Sequence, residues 1–178
     1  MPSAMSASSP AHTGMSGRLI GWLSLAGVIA LLDQLSKWVV LHTMSMGEVI
    51  PVTSFFKLVL VYNPGAAFSF LADHGGWQRW FFTALAVLVS GWLITMLRHH
   101  QHERALPTAF SLIIGGAIGN VIDRIVHGAV VDFLYFHYHQ YGWPAFNLAD
   151  SAITCGVILM LWSQFRPSSS PPTSETSP

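Results

Sequence analysis

Four apolar runs of bilayer-crossing length constrain this chain more than any other feature. They extend from Leu19 to Leu41, Trp80 to Leu97, Leu106 to Ile122 and Phe146 to Phe165. A helix needs about 20 largely apolar residues to cross a hydrocarbon core of about 30 Å. Within that core each backbone N–H and C=O must be paired inside the protein, which leaves helices or closed barrels. The spacing predicts an α-helical membrane protein with four transmembrane helices. Composition agrees, with 52% hydrophobic and 9% charged residues among 178. A formal net charge of zero gives no electrostatic footprint for a nucleic-acid partner. Trp22, Trp77, Trp80 and Trp162 stand near run ends, as interfacial anchors do. The first run continues past Asp33 and Lys37 and lacks a small-residue cleavage site, so it reads as a retained helix rather than a signal peptide.

The predicted organisation is a disordered Ser/Ala/Pro-rich start (1–17), one membrane domain (18–166) and a disordered Ser/Pro-rich tail (167–178). Helices are expected at about 19–41, 80–97, 106–126 and 146–165. Pro107 suits the first turn of the third, and Gly115, Gly116 and Gly119 give it a face that neighbouring helices can approach. Arg18, Arg98, Arg104 and Arg166 flank one side of the membrane, against Lys57 and Arg79 on the other. The positive-inside rule then predicts cytoplasmic termini and outward segments 42–79 and 127–145. Residues 48–70 hold short β-branched and aromatic stretches broken by Pro51 and Asn63-Pro64-Gly65, which predicts a small extracytoplasmic sheet. Ala66–Leu71 is apolar enough to read alternatively as a re-entrant piece. The aromatic stretch within 127–145 reads as interfacial.

Ionisable groups inside such runs are expensive, about 2.5–3.5 kcal/mol each on insertion scales, so they mark sites. Asp33 and Lys37 share a helix face at i,i+4, the spacing of a buried ion pair that orders the bundle. Asn120, Asp123 and Arg124 form a stripe at the outer end of the third helix. Asn147, Asp150, Ser151 and Thr154 do so at the outer end of the fourth, and Asp132 can fold back beside both. Asn147 as a helix cap and Asp150 as a first-turn acid would be a purely structural reading. It does not explain three acids, an arginine and two asparagines at one depth. Paired acids sharing a proton can activate water, which predicts a hydrolase; spacing alone leaves open whether Asp123 or Asp132 is a member of the pair. The single cysteine, Cys155, reads as a packed thiol, and the nine histidines show no metal-ligand spacing. No metal or cofactor is expected.

The Asp33…Lys37 pair, Asn63-Pro-Gly-Ala-Ala-Phe-Ser69, Gly115-Gly-Ala-Ile-Gly-Asn-Val-Ile-Asp-Arg124, Val130-Val-Asp-Phe133 and Phe146-Asn-Leu-Ala-Asp-Ser-Ala-Ile153 resemble the lipoprotein signal peptidase (signal peptidase II) family, in order across residues 18–166. The resemblance implies a four-helix aspartyl protease of the bacterial inner membrane. Such an enzyme removes signal peptides from diacylglyceryl-modified prolipoproteins, cutting before the lipidated cysteine. It implies Asp132 and Asp150 as the catalytic pair and Asp123 as a supporting hydrogen-bonding group. Asn63, Asn120, Arg124 and Asn147 would line the substrate pocket, with Gly116 allowing close approach. The partners expected are prolipoproteins and membrane lipids, and the protein is expected to be a monomer with its site near the outer face. The alternative reading is a proton- or ion-coupled transporter using the Asp/Arg cluster, which would need polar residues through the full membrane depth.

Overall fold

The computed structural model describes residues 16–65 and 76–165. The chain runs α1 (Gly17–Thr43), β1 (Val49–Pro51), β2 (Phe56–Asn63), α2 (Trp77–His100), α3 (Ala105–Val126), β3 (Val130–Tyr138), β4 (Tyr141–Gly142) and α4 (Leu148–Gln164). Helices α1, α2 and α3 are long and apolar enough to cross a membrane, and α4 is a shorter apolar helix of 17 residues. The two tails expected to be disordered lie outside the described residues, apart from Ser16 and Gly17. Ser16 caps α1 by accepting the Leu19 N–H, and Gly17 is already helical. The 66–71 stretch also lies outside them.

Helix α3 is the centre of the bundle and packs against α1, α2 and α4. Its small residues explain why. A Cβ on Gly115 would sit 2.6 Å from the Ala26 carbonyl oxygen of α1, and one on Gly116 would overlap the Ala149 carbonyl of α4. Where side chains vanish, backbones can touch, and van der Waals packing replaces the hydrophobic drive that lipid cannot supply. Helix α2, by contrast, exposes Leu85, Val87, Leu88 and Trp92. An apolar surface of that extent fits lipid rather than water. One buried cluster (Leu19, Ala26, Leu93, Leu97, Phe110, Ile113, Ile114) fills the half of the bundle where α1 and α3 begin. Trp22 is half-buried against this cluster, whereas Trp77, Trp80 and Trp162 are exposed, as anchors at an interface would be.

The four strands form one antiparallel sheet in the order β1-β2-β3-β4. It docks on the end of α1 through Val40, Met44, Leu60, Val131 and Phe133. The sheet extends the sequence expectation in one respect: its longest strand comes from the segment read as merely interfacial. Val130–Tyr138 is rich in β-branched and aromatic residues, and its pairing with β2 supplies the partner that neither segment has alone. The fourth helix is also shorter than the apolar run suggests. Phe146 is held in a bridge with Leu134, and Asn147 is extended, so the helix starts at Leu148.

Two local features deliver Asp132 to the bundle. Gly128, at φ 81°, turns the chain from α3 into β3 within three residues, a conformation that L side chains rarely adopt. On the facing strand the register advances from Leu58↔Leu134 to Val61↔Asp132, so β2 carries one extra residue there. That bulge buries Val59 and Leu60 in succession and sharpens the twist beside Asp132.

Candidate active site

Asp132 lies on β3, Asp150 in the first turn of α4, Asn120 and Arg124 on α3, Asn63 at the end of β2 and Asn147 at the cap of α4. Four elements thus contribute to one place, and every polar residue singled out in the sequence for the site reaches it or its supports. The asparagine amides connect the two acids. Asn147 Nδ2 donates to Asp132 Oδ1 at 2.8 Å, and Asn63 Nδ2 donates to Asp132 Oδ2 at 2.9 Å. Asn120 Nδ2 donates to Asp150 Oδ1 at 2.7 Å, and its own carbonyl oxygen accepts from Asn147 Nδ2 at 3.3 Å. Asn147 is also the helix cap, accepting the Asp150 N–H at 2.9 Å through Oδ1. The structural reading of Asn147 and its place among the acids hold together.

The two acids differ in their surroundings. Asp132 is 1% exposed. Its pKa is pushed up to about 7, chiefly by burial; the Asn63 and Asn147 amides oppose the rise and the nearby Asp150 charge adds to it. Asp150 is half-buried and lines a cleft of about 630 Å³, with Asn63, Phe82, Asn120, Arg124 and the Trp143–Phe146 segment around it. A second, smaller cleft of about 320 Å³ reaches Asp150 from the Ser151, Thr154 and Cys155 side. Arg124 extends along the larger cleft with its guanidinium 5.5 Å from the Phe82 ring. One of its NH groups donates to the Asn120 carbonyl at 3.2 Å, while its buried Nε has no partner among the described residues.

Behind the acids stands a buried ion network built on Lys37. Its ammonium is 2.7 Å from Asp33 Oδ2 and 2.7 Å from Asp123 Oδ2. The sequence pairs Lys37 with Asp33 alone; the structure makes it a triad. Each of the two carboxylates also accepts a backbone N–H. Asp123 Oδ2 accepts the Val131 N–H at 3.0 Å, and Asp33 Oδ1 accepts the Ala149 N–H at 2.8 Å. Val131 and Ala149 each immediately precede a site acid. One ammonium therefore fixes both carboxylates that hold the backbone beside Asp132 and Asp150. Asp123 makes this contact through the backbone and has no direct bond to either acid among those found.

Gly116 does not line the cleft. It is buried where α3 meets α4, its Cα against Ala149 and Ile153, and it brings the helix bearing Asp150 close to the one bearing Asn120. Three contributors escape the sequence reading. Gln34 donates to Asp123 Oδ1 at 2.9 Å and to the Gly119 carbonyl at 3.1 Å; a glutamine inside an apolar run was the available signal. Arg79 donates to the Ile125 carbonyl at 3.0 Å and holds the end of α3. Phe82 faces Arg124 from an all-apolar run and had no signal. Among the described residues no three His, Cys, Asp or Glu side chains gather as metal ligands would.

Apolar helices around carboxylates joined by asparagine hydrogen bonds define a membrane-embedded protein with a largely apolar cleft that opens onto Asp150. The family described as Signal peptidase (SPase) II matches residues 25–166, and the chain belongs to that family. It is a bacterial membrane protease of the aspartic type. The lipoprotein signal peptidase of Azoarcus sp. strain BH72 is 65% identical over 166 residues, covering 93% of this chain and 92% of that one. That of Cupriavidus necator is 54% identical over 145 residues, covering 82% and 83%. A solved structure described as a bacterial membrane enzyme superposes with a TM-score of 0.74 at 30% identity, covering 88% of this chain and 94% of its own.

Proposed function

We propose that this chain removes signal peptides from diacylglyceryl-modified prolipoproteins, with Asp132 and Asp150 as the catalytic pair. The observation that carries the assignment is the asparagine bridge: Asn147 and Asn120 hold Asp132 and Asp150 in one network, while Asp123 is spent on Lys37, Gln34 and the Val131 N–H. A carboxyl titrating near 7 retains its proton about half the time at neutral pH, which suits Asp132 as the acid. Asp150, at the cleft wall, suits the base. Asp150 takes a proton from water as the oxygen attacks the scissile carbonyl carbon. Asp132 donates its proton to the carbonyl oxygen. The tetrahedral intermediate collapses, one of its hydroxyls returning a proton to Asp132, the C–N bond breaks, and the proton held by Asp150 passes to the leaving amine. Arg124, with an unfilled Nε–H beside the cleft, holds a carbonyl oxygen of the substrate. Asn63 and Asn147 orient Asp132, and Asn120 orients Asp150.

The apolar part of the cleft, from Phe82 and Val130 to Trp143 and Phe146, suits a signal peptide and its lipid. In this reading the protein acts as a monomer, since one chain supplies every site residue. The site lies at the outer face of the inner membrane with both termini in the cytoplasm, on the Lys/Arg asymmetry. A transporter is disfavoured by the buried apolar cluster filling the other half of the bundle. The test is cleavage of a lipid-modified prolipoprotein by the detergent-purified protein alone. The wild type should cut between the signal peptide and the lipidated cysteine. An intact substrate under these conditions would reject the proposal.

A further inference from the structure

At the far end of the bundle from the acids a second cavity opens, of about 560 Å³. Asp123 and Ala105 are 18 residues apart on α3, so this end is about 27 Å away at 1.5 Å per residue. Arg18, Trp22, Gln101, His102 and Arg104 line it around the open face of Gly21. The walls are pinned to each other. Trp22 Nε1 donates to the Gln101 carbonyl at 3.1 Å, and Ser16 Oγ is hydrogen-bonded to the Gln101 side chain. Arg18 NH1 lies 2.7 Å from His102 Nδ1. Because a guanidinium can only donate, Nδ1 is the acceptor, and the neutral ring presents its Nε2–H as a further donor.

The charge here is unbalanced. Among the described residues the ion pairs within 4.0 Å are those of Lys37 with Asp33 and Asp123, so neither arginine has an acidic partner there. Glu103 also lines the cavity, against two arginines, and forms no ion pair with either. Beyond Arg18 the wall is apolar: Trp22, Leu25 and the open helix face at Gly21, where an added Cβ would touch nothing within 4 Å. Two exposed arginines, Arg18 of them held by His102, beside an apolar notch at a membrane-helix end match a phosphodiester headgroup whose acyl chains descend along the helix.

We propose that this cavity is a binding site for an anionic phospholipid, with Arg18 and Arg104 on the phosphodiester and the Gly21–Leu25 face of α1 against an acyl chain. The bound lipid ties α1 to the α2–α3 turn. It is independent of the peptidase site and of the assigned catalytic residues.

The experiment uses the full chain in a neutral detergent, with thermal unfolding and native mass spectrometry read while phosphatidylglycerol is added. Phosphatidylcholine and inorganic phosphate are the parallel arms. Expected is a rise in melting temperature and a retained single adduct with phosphatidylglycerol, weakened by salt, and neither with phosphatidylcholine. Gly21→Leu fills the notch without changing charge or topology, and should abolish both responses while cleavage in detergent stays at the wild-type rate. Arg18→Gln should weaken binding about fivefold, the scale of one basic residue at an anionic surface. An equal response to phosphatidylcholine would overturn the proposal, as would unchanged binding in Gly21→Leu. Inorganic phosphate alone reproducing the stabilisation would overturn the lipid assignment in favour of a free-phosphate site.

Discussion

Asp132 and Asp150 show how far environment separates two identical side chains. Asp132 is buried and held by the Asn63 and Asn147 amides, and Asp150 meets the cleft. Asp132→Asn and Asp150→Asn should each lower the cleavage rate by about 10²–10⁴-fold while the protein still folds, with a double variant no worse than the poorer single one. Asp132 adds a pH signature. Its folded pKa of about 7 lies above the ordinary value near 3.9, so the fold favours its neutral form. Its contribution to stability is complete below pH ~4 and is lost as the pH rises through 7. Thermal unfolding of Asp132→Asn should therefore show a larger gain over wild type at pH 8 than at pH 5; equal shifts would remove the buried-acid assignment. Arg124 is a separate case. Arg124→Lys keeps a positive charge but loses the planar fork, so it should leave the melting temperature within a degree or two and cut turnover at least tenfold. Wild-type turnover in that variant would end the substrate-holding role.

Among the elements, α1 carries no residue of the cleft wall beside Asp150, yet its Asp33 and Lys37 set the position of both acids. Lys37→Met should leave Asp33 and Asp123 buried without a countercharge, a loss on the order of 3–5 kcal/mol. Adding Asp123→Asn to it should recover part of that stability and none of the activity. A melting curve of the single variant that matches wild type would show the triad to be unimportant. The helices were legible in the sequence because a membrane span writes its length directly into composition. The polar stripes were legible because an Asp, Asn or Arg in an apolar run has no background to hide in. Strand β3 was not, since Val130–Tyr138 follows a helix with only three residues between, and its strand character rests on pairing with the distant β2, where Asn63 faces Val130 and Val61 faces Asp132. The direction of the Asp123 carboxylate was not legible either. Its spacing from Asn120 and Arg124 fits a site residue as well as Asp132 does, and only the turn at Gly128 decides which acid faces the asparagines.

On the scale of the whole molecule, Arg18 and Arg104 stand at one end of the bundle and the paired carboxylates at the other. Reporters fused after Gln164 or within 98–105 should behave as cytoplasmic, and one near Gln140 as extracytoplasmic; the reverse pattern would put the cleft on the wrong side for a secreted substrate. The brevity of α4 has a further consequence. Seventeen residues rise about 25 Å, several ångströms less than a hydrocarbon layer of about 30 Å, and the helix begins at the level of Asp150. Lipid beside α4 would have to compress to meet it, and the headgroup layer would then dip toward the cleft. A lipid-anchored cysteine entering such a dimple would be lowered toward the carboxylates by the shape of the membrane itself. Reconstituted in bilayers of increasing acyl length, the protein should lose turnover as the layer thickens beyond what α4 can deform; a rate indifferent to thickness would show that the membrane does not share in delivering substrate.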